Sequence, residues 1–369
     1  MLCGEREGVG RTCIFHQVIG MSDAGRDCNH DERRLSRDHR DGCTATAPWL
    51  TRQSAVVLGG GGARGLAHLG AMQAIAENGF QVERIVGVSI GALAGAMLGT
   101  HSDVATVQKE VVSLLQSTAF QRHQAQFLGA AQAHHASQHH AASPKKSRWY
   151  RQVQRLVAAR RHLSRAARGS SALPGKVLRE LVNALVPDVQ IEDLRFPLSI
   201  VTVDLLTGKR VVLESGSLRD AVQASASIPG VFPAVNIEGQ LLCDIGVIDS
   251  LPTVIAKAHQ PELLVAVDVG QPERSLIRCD SPVEAILRMQ SIAEQHLRQG
   301  SLQLADIVLR PGAQNAWFDF TNPLEVIETS YDAVMRQLQA CRFDSAAGTW
   351  LDPQRPDFLV PTPAASSIP

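Results

Sequence analysis

The pentapeptide Gly87-Val88-Ser89-Ile90-Gly91 holds a serine between two glycines. Ile85 to Val88 is an apolar run of strand type, and small apolar residues at helical spacing follow from Ile90 to Leu98. A serine at such a strand-to-helix junction occupies a tight turn that pushes its Oγ out of the sheet, and Gly87 and Gly91 leave room for that turn. The free amides that open the following helix favour negative charge beside the oxygen. The chemistry this pattern suits is nucleophilic attack on a carbonyl.

A second block precedes it. Ala55-Val56-Val57-Leu58 reads as a buried strand and runs into Gly59-Gly60-Gly61-Gly62-Ala63-Arg64-Gly65, after which Leu66 to Asn78 has helical spacing. Gly60-x-Gly62-x-x-Gly65 formally matches a dinucleotide fingerprint, but that reading wants an acidic residue at the end of the second strand, where this chain has Ser89. The rival reading is an oxyanion hole, in which consecutive glycines leave the N–H groups of Gly60, Gly61 and Gly62 free to meet a carbonyl oxygen as it becomes an alkoxide. Two neighbouring parallel strands would bring this loop beside Ser89 at one carboxyl edge of the sheet.

The third requirement is a base. No histidine sits where a Ser…Asp…His order would need it; His259 and His296 are candidates by elimination, and His68, inside the first helix, suits a structural role. A carboxylate aimed at the hydroxyl and partly desolvated can serve instead, because burial raises its pKa. Asp244, ending the strand-like Leu241 to Asp244 and followed by Ile245-Gly246, is the best placed by pattern. Asp204, Asp249 and Asp268 also stand near strand ends, where aspartate commonly caps or turns the chain.

The elements around these blocks predict an α/β fold, a mostly parallel central sheet with helices on both faces. Further strands are expected at Phe196 to Val203, Arg210 to Leu213 and Leu263 to Asp268, and helices at Leu178 to Leu185, Leu218 to Ala226, Pro282 to Arg298 and Leu324 to Gln339. The uncharged stretch from Ile85 to Ser102 is long enough to weigh as a membrane span, but its glycines, serines and alanines make a poor lipid-facing surface. The expected division is a polar leader over 1–51, a catalytic domain over 52–345 and a Pro-rich tail over 346–369.

With 369 residues, 44% hydrophobic and 20% charged, the chain has the composition of a globular protein with a sizeable core. Lys+Arg and Asp+Glu balance at 36 each, and 16 aromatics supply little material for base stacking, so no nucleic-acid partner is expected. The charge is segregated, however. Between Glu110 and Glu180 there are 12 Lys/Arg, six His and no acid, which leaves 24 Lys/Arg against 36 Asp/Glu elsewhere. Most of this basic stretch falls in an apparent insertion, 118–172, whose segment Trp149 to Arg168 has the spacing of a basic amphipathic helix. Residues 145–168 could therefore touch an anionic membrane or cover the site as a lid, or simply form a solvated helix on their own domain.

Seven scattered cysteines favour a reducing compartment over a disulfide scaffold. Cys3, Cys13, Cys28 and Cys43 with His16, His30 and His39 invite a zinc reading but lack any C-x2–4-C pair, so no metal site is expected. The first 20 residues show no apolar core of a secretory signal, and the expected location is cytoplasmic or peripheral to a membrane.

Four ordered blocks together resemble the patatin-like phospholipases, in particular the short bacterial members related to neuropathy target esterase. They are Gly60-Gly61-Gly62-Ala63-Arg64-Gly65, Gly87-Val88-Ser89-Ile90-Gly91, Ala224-Ser225-Ala226-Ser227-Ile228-Pro229-Gly230 and Cys243-Asp244-Ile245-Gly246. The resemblance spans roughly Ser54 to Val269, the insertion excepted. It implies a Ser–Asp dyad with Ser89 as nucleophile and Asp244 as base, an oxyanion hole from the glycine loop supported by Arg64, and no metal or organic cofactor. It further implies hydrolysis of fatty-acyl esters of phospholipids or lysophospholipids; a transacylase or a silent lipid-binding module on the same fold is the alternative. One departure stands out. The family pattern places glycine after the aspartate, where a positive φ would strain Ile245.

Overall fold

The computed structural model describes residues 52–121 except 102 and 119, residues 171–271 except 172, residue 279, and residues 281–344 and 349–351. The leader, most of the insertion with its expected basic helix, nearly all of the Pro-rich tail and the four N-terminal cysteines lie outside the described residues.

One sheet organises the chain. Its strands are β1 (Gln53–Leu58), β2 (Gln81–Val88), β3 (Leu198–Asp204), β4 (Arg210–Leu213), β5 (Val235–Ile237), β6 (Gln240–Cys243), β7 (Leu263–Val267) and β8 (Ile307–Leu309). Five of them run parallel in the order β3-β2-β1-β7-β8. β4 and β6 run antiparallel to β3, and β5 pairs antiparallel with β6. The fold is therefore mixed α/β around a mostly parallel sheet.

The alternation of side chains along the strands divides the core in two. Val56 and Leu58 of β1 join Ile85, Ile200, Val265 and Leu309 under one layer of helices: α1 (Ala67–Glu77), α2 (Ile90–Thr100), α3 (Val104–Gln116), α4 (Gly175–Leu185), α5 (Leu218–Ser225) and α8 (Pro323–Ala340). Ala55 and Val57 face the other way with Val86, Val201, Ala266 and Val308, covered by α6 (Thr253–Ala258) and by Leu302 at the end of α7 (Pro282–Leu302). Burial on both faces explains why β1 and β7 read as unbroken apolar runs rather than alternating ones.

α2 packs unusually close to the sheet, and its small residues are the reason. A Cβ built on Gly91 would stand 2.0 Å from the Leu58 carbonyl oxygen, and one on Gly87 would stand 2.6 Å from the Gly91 carbonyl oxygen. The described part of the uncharged run that starts at Ile85 is thus the end of β2, the Ser89 turn and the whole of α2, packed largely within the protein. Among the described residues no helix is long and apolar enough to cross a membrane.

The β3 edge has a feature that positions the site. Val201 pairs with Val88 of β2 and Val212 of β4, so these strands flank β3 on opposite sides. Val203 pairs with Arg210 of β4 and Cys243 of β6, so β6 lies on the β2 side. β2 and β6 therefore share one edge of β3 and run toward each other, with Thr202 opposite the gap between their ends.

The close seating of α2 gives a direct expectation. Gly91→Ala should lower the unfolding free energy by at least ~1–3 kcal/mol, the usual range for overpacking, read as a lower urea midpoint; an unchanged midpoint would contradict the close approach.

Candidate active site

Ser89 ends β2 and caps α2 with φ 55° and ψ −123°. Among described residues only Ser89, Glu238 and Gln260 take positive φ without being glycine. A strained backbone of this kind costs on the order of 1–3 kcal/mol and persists only where the surroundings enforce it. Here the Ser89 N–H donates to Ser225 Oγ at 2.9 Å, and the Ser225 hydroxyl donates to the Val201 carbonyl at 2.8 Å. The Ser89 carbonyl in turn accepts the amides of Ala92 and Leu93. The hydroxyl is thus presented from a turn held at both backbone ends.

Asp244 follows directly on β6 and enters the gap from the opposite side. Its amide donates to the Ser227 carbonyl at 3.0 Å, and its Oδ1 accepts the Gly246 amide at 2.7 Å. The Ser89 hydroxyl faces its carboxylate closely enough to pull its pKa down. Burial lifts the Asp244 pKa to about 6, against the lowering pull of Ser89 and Gly246. Ile245 adopts no positive φ and is buried in the second core with Val201 and Leu251, so its replacement of glycine introduces no backbone strain.

The glycine loop lies beside the serine, since a Cβ on Gly60 would sit 3.6 Å from Ser89 Cβ. Its amides are not equivalent. Gly60, expected among the oxyanion donors, has its N–H engaged by the Ser250 carbonyl at 2.8 Å. His68, wholly buried, holds the Gly59 carbonyl through Nε2 at 2.7 Å, clamping the same peptide from its other end. Burial drives the His68 pKa down to about 4, so its ring is neutral at pH 7.

The N–H groups of Gly61 and Gly62 bond to no other group among the described residues. Half-buried Arg64 donates Nε to the Gly61 carbonyl at 3.2 Å. Because the peptide is trans, fixing that carbonyl also fixes the Gly62 N–H on the opposite side. Gly62 has φ +59°, and a Cβ there would strike the Trp317 carbonyl at 2.1 Å, so glycine is required by both conformation and space. Trp317 also accepts the Ala63 amide at 2.6 Å, closing the loop.

The other acids and histidines are engaged elsewhere. Asp204 caps the β3–β4 turn through Leu206 and Thr207, Asp249 pairs with Arg210 at 2.6 Å, and Asp268 is bonded by Arg298 at 2.9 and 2.8 Å. His259 follows α6 before the amino end of β7, the sheet edge opposite Ser89, and faces Glu214 at 3.3 Å. His296 is exposed on α7. The described residues hold no cluster of potential metal ligands.

Ser89 and Gly62 open onto a cavity of about 190 Å³ on the first-core side of the sheet. Its walls come from α2 (Ile90, Leu93, Met97), α3 (Leu114, Leu115), α4 (Leu181, Leu185) and the Trp317–Phe320 segment. Ser89 supplies the one hydroxyl among the lining residues. Ser225, Trp317 and the α3 wall are not singled out by sequence reasoning. Ser225 does lie in the Ala224–Gly230 block, where a buried hydroxyl is the available signal; the others carry no motif.

An elbow serine facing a buried carboxylate beside free amides on an α/β sheet is the arrangement expected of a hydrolase-type site. Comparison with known proteins agrees with this class: a patatin-like phospholipase model matches residues 56–257. The chain belongs to the patatin-like phospholipase family. It is 30% identical over 230 residues to the neuropathy target esterase sws of Drosophila melanogaster, covering 62% of this chain and 14% of that protein. It is 31% identical over 228 residues to an uncharacterized NTE family protein of Mycobacterium tuberculosis, covering 62% of this chain and 52% of the relative. The chain thus spans about half or less of the length of these relatives. Among solved structures, VipD from Legionella pneumophila is similar over 78% of this chain and 67% of its own, at 18% identity and a TM-score of 0.39.

The buried carboxyl carries a stability consequence. Its folded-state pKa of about 6 exceeds the ordinary 3.8, so ionised Asp244 opposes folding above that range and ceases to do so below pH 3.8. Asp244→Asn should therefore be more stable than the parent at pH 7–8, by up to ~3 kcal/mol, with the advantage shrinking toward pH 4 in paired denaturant titrations.

Proposed function

We propose that the chain is a serine acyl hydrolase that cleaves fatty-acyl esters of lipids through Ser89 and Asp244. The observation that carries this reading is a hydroxyl presented on a strained turn, facing a buried carboxylate whose pKa it lowers, beside an apolar cavity. Ser89 Oγ forms a bond to the acyl carbonyl carbon while its proton passes to Asp244. The carbonyl oxygen becomes an oxyanion that the amides of Gly61 and Gly62 receive, with Arg64 holding the peptide between them. The carbon–oxygen bond to the alcohol breaks as Asp244 returns the proton to that oxygen. Water then repeats the sequence on acyl-Ser89 and releases the fatty acid.

The apolar walls suit an acyl chain and leave the polar part of the substrate outside the cavity. Family membership supports a phospholipid or lysophospholipid as substrate. The arrangement needs no histidine, because burial raises the carboxylate toward the pH at which a base works best. Apart from the water consumed in the second half, the steps draw only on the chain's own residues.

Ser89→Ala should abolish hydrolysis of a p-nitrophenyl acyl ester, and labelling by a fluorophosphonate, without altering the circular dichroism spectrum. His259→Ala and His296→Ala should leave turnover unchanged, and a lethal histidine variant would replace the dyad with a triad. The acid limb of kcat/KM should fall as pH drops through about 6, where Asp244 takes up its proton. A rate that stays flat down to pH 4 would remove Asp244 from the role of base.

A further inference from the structure

The glycine loop is framed from the face of the sheet opposite the cavity. Asp268 follows β7, and its side chain falls on the second-core side, where Arg298 of α7 meets it. Both residues are buried, at 4% and 8% exposure, and the guanidinium reaches both carboxylate oxygens. Arg298 also donates Nε to Glu294 Oε1 at 3.0 Å and Nη2 to the Gln271 carbonyl at 3.1 Å.

Two paths lead from this arginine to the amides. On the first, Glu294 Oε1 accepts the Ser250 hydroxyl, and the Ser250 carbonyl accepts the Gly60 N–H at 2.8 Å. On the second, Arg298 bolts both ends of the Asp268–Gln271 segment, whose Val269 backs the loop. A Cβ on Gly61 would lie only 2.7 Å from Val269 Cγ2. Gly60 is thus held by the Ser250 carbonyl and Gly61 is bounded by Val269, a first-core side chain, and both contacts lead back to one guanidinium.

Core packing does not account for this arrangement. Ile286, Leu287, Met289 and Leu297 of α7 point to solvent, and among the described side chains of this helix Leu302 alone joins the second core. A buried ion pair is seldom a net source of stability over apolar residues of equal volume. Its gain is a fixed geometry, and the geometry fixed here is that of the loop beside Ser89.

We propose that Arg298 is a positioning residue for the Gly61 and Gly62 amides, acting through Glu294–Ser250 on one side and Asp268–Val269 on the other. This rests on the hydrolase reading above. Arg298 touches no substrate. Its loss should loosen the amides where the oxyanion forms and leave the apolar cavity on the far side of the sheet intact.

The test compares Arg298→Met, Arg298→Lys and Ser250→Ala with the parent on a p-nitrophenyl acyl ester, with thermal melts to establish folding. Arg298→Met should lower kcat by ~10–100-fold and Ser250→Ala by ~3–10-fold, less than the loss of an oxyanion donor itself. KM should stay within about twofold in both, the signature of an interaction made only in the transition state. The inhibition constant of an alkyl trifluoromethyl ketone, whose adduct carries the same oxyanion, should rise in step with the fall in kcat/KM. Arg298→Lys should recover part of the rate, since it restores the charge without the fork. Folded variants with parental kcat, or with losses confined to KM, overturn the proposal. If Arg298→Met does not fold, Ser250→Ala decides, because it removes one link and leaves the ion pair in place. A parent that hydrolyses no ester defeats the hydrolase reading instead, and the Ser89→Ala control separates the two failures.

Discussion

Two strands run toward each other along one edge of β3 and stop a residue apart, and the groups at their ends meet across that gap. β2 delivers Ser89 from below and β6 delivers Asp244 from above. Neither strand can shift in register without moving its side chains to the other face of the sheet. The juxtaposition of hydroxyl and carboxylate is therefore set by strand pairing rather than by loop conformation. Everything else at the site is arranged around that meeting: the elbow turns the serine outward, the Gly246 amide steadies the carboxylate, and the glycine loop lies alongside.

Each of these features carries a local penalty. Ser89 holds a positive φ, Asp244 is a carboxylate removed from water, and Gly61 and Gly62 keep amides without partners among the described residues. All three are tolerated because the surrounding sheet is buried on both faces, and β1, β2 and β7 are anchored by their neighbours for most of their length. The penalties also have a common direction. A strained turn presents the hydroxyl, desolvation makes the carboxylate a better proton acceptor, and unpaired amides wait for negative charge. Destabilisation at these points is what the proposed chemistry uses.

Local signals made much of this legible in the sequence. The Ala55–Leu58 run, the glycines after it, the Gly87–Gly91 elbow and Asp244 at a strand end each depend on residues close in the chain, and they mark the elements found. What the sequence did not carry is pairing between distant segments. That β6 lies collinear with β2 follows only from the two sides of β3, and no periodicity announces it. The engagement of the Gly60 amide has the same origin, because its partner Ser250 is 190 residues away and contributes a backbone carbonyl, which any residue type would supply. Ile245 looked strained by analogy with glycine, yet its backbone lies outside the positive-φ region and its side chain fills the second core. The α3 wall of the cavity is an ordinary amphipathic helix, distinguished only by what it faces.

The two faces of the sheet serve different needs at the same edge. On the first, small residues let α2 lie close to β1 and β2, and the space left between α2, α3 and α4 becomes an apolar cavity opening at Ser89. On the second, polar and charged groups gather behind the glycine loop, with Arg298 hydrogen-bonded to both Asp268 and Glu294. The separation has an electrostatic reason. An acyl chain needs a surface without charge, whereas amides that must hold still against a forming oxyanion need directional bonds behind them. Were both requirements met on one face, the ion pair would line the cavity and its desolvation would depend on the ligand. With the sheet between them, the charged frame stays buried whether or not the cavity is filled.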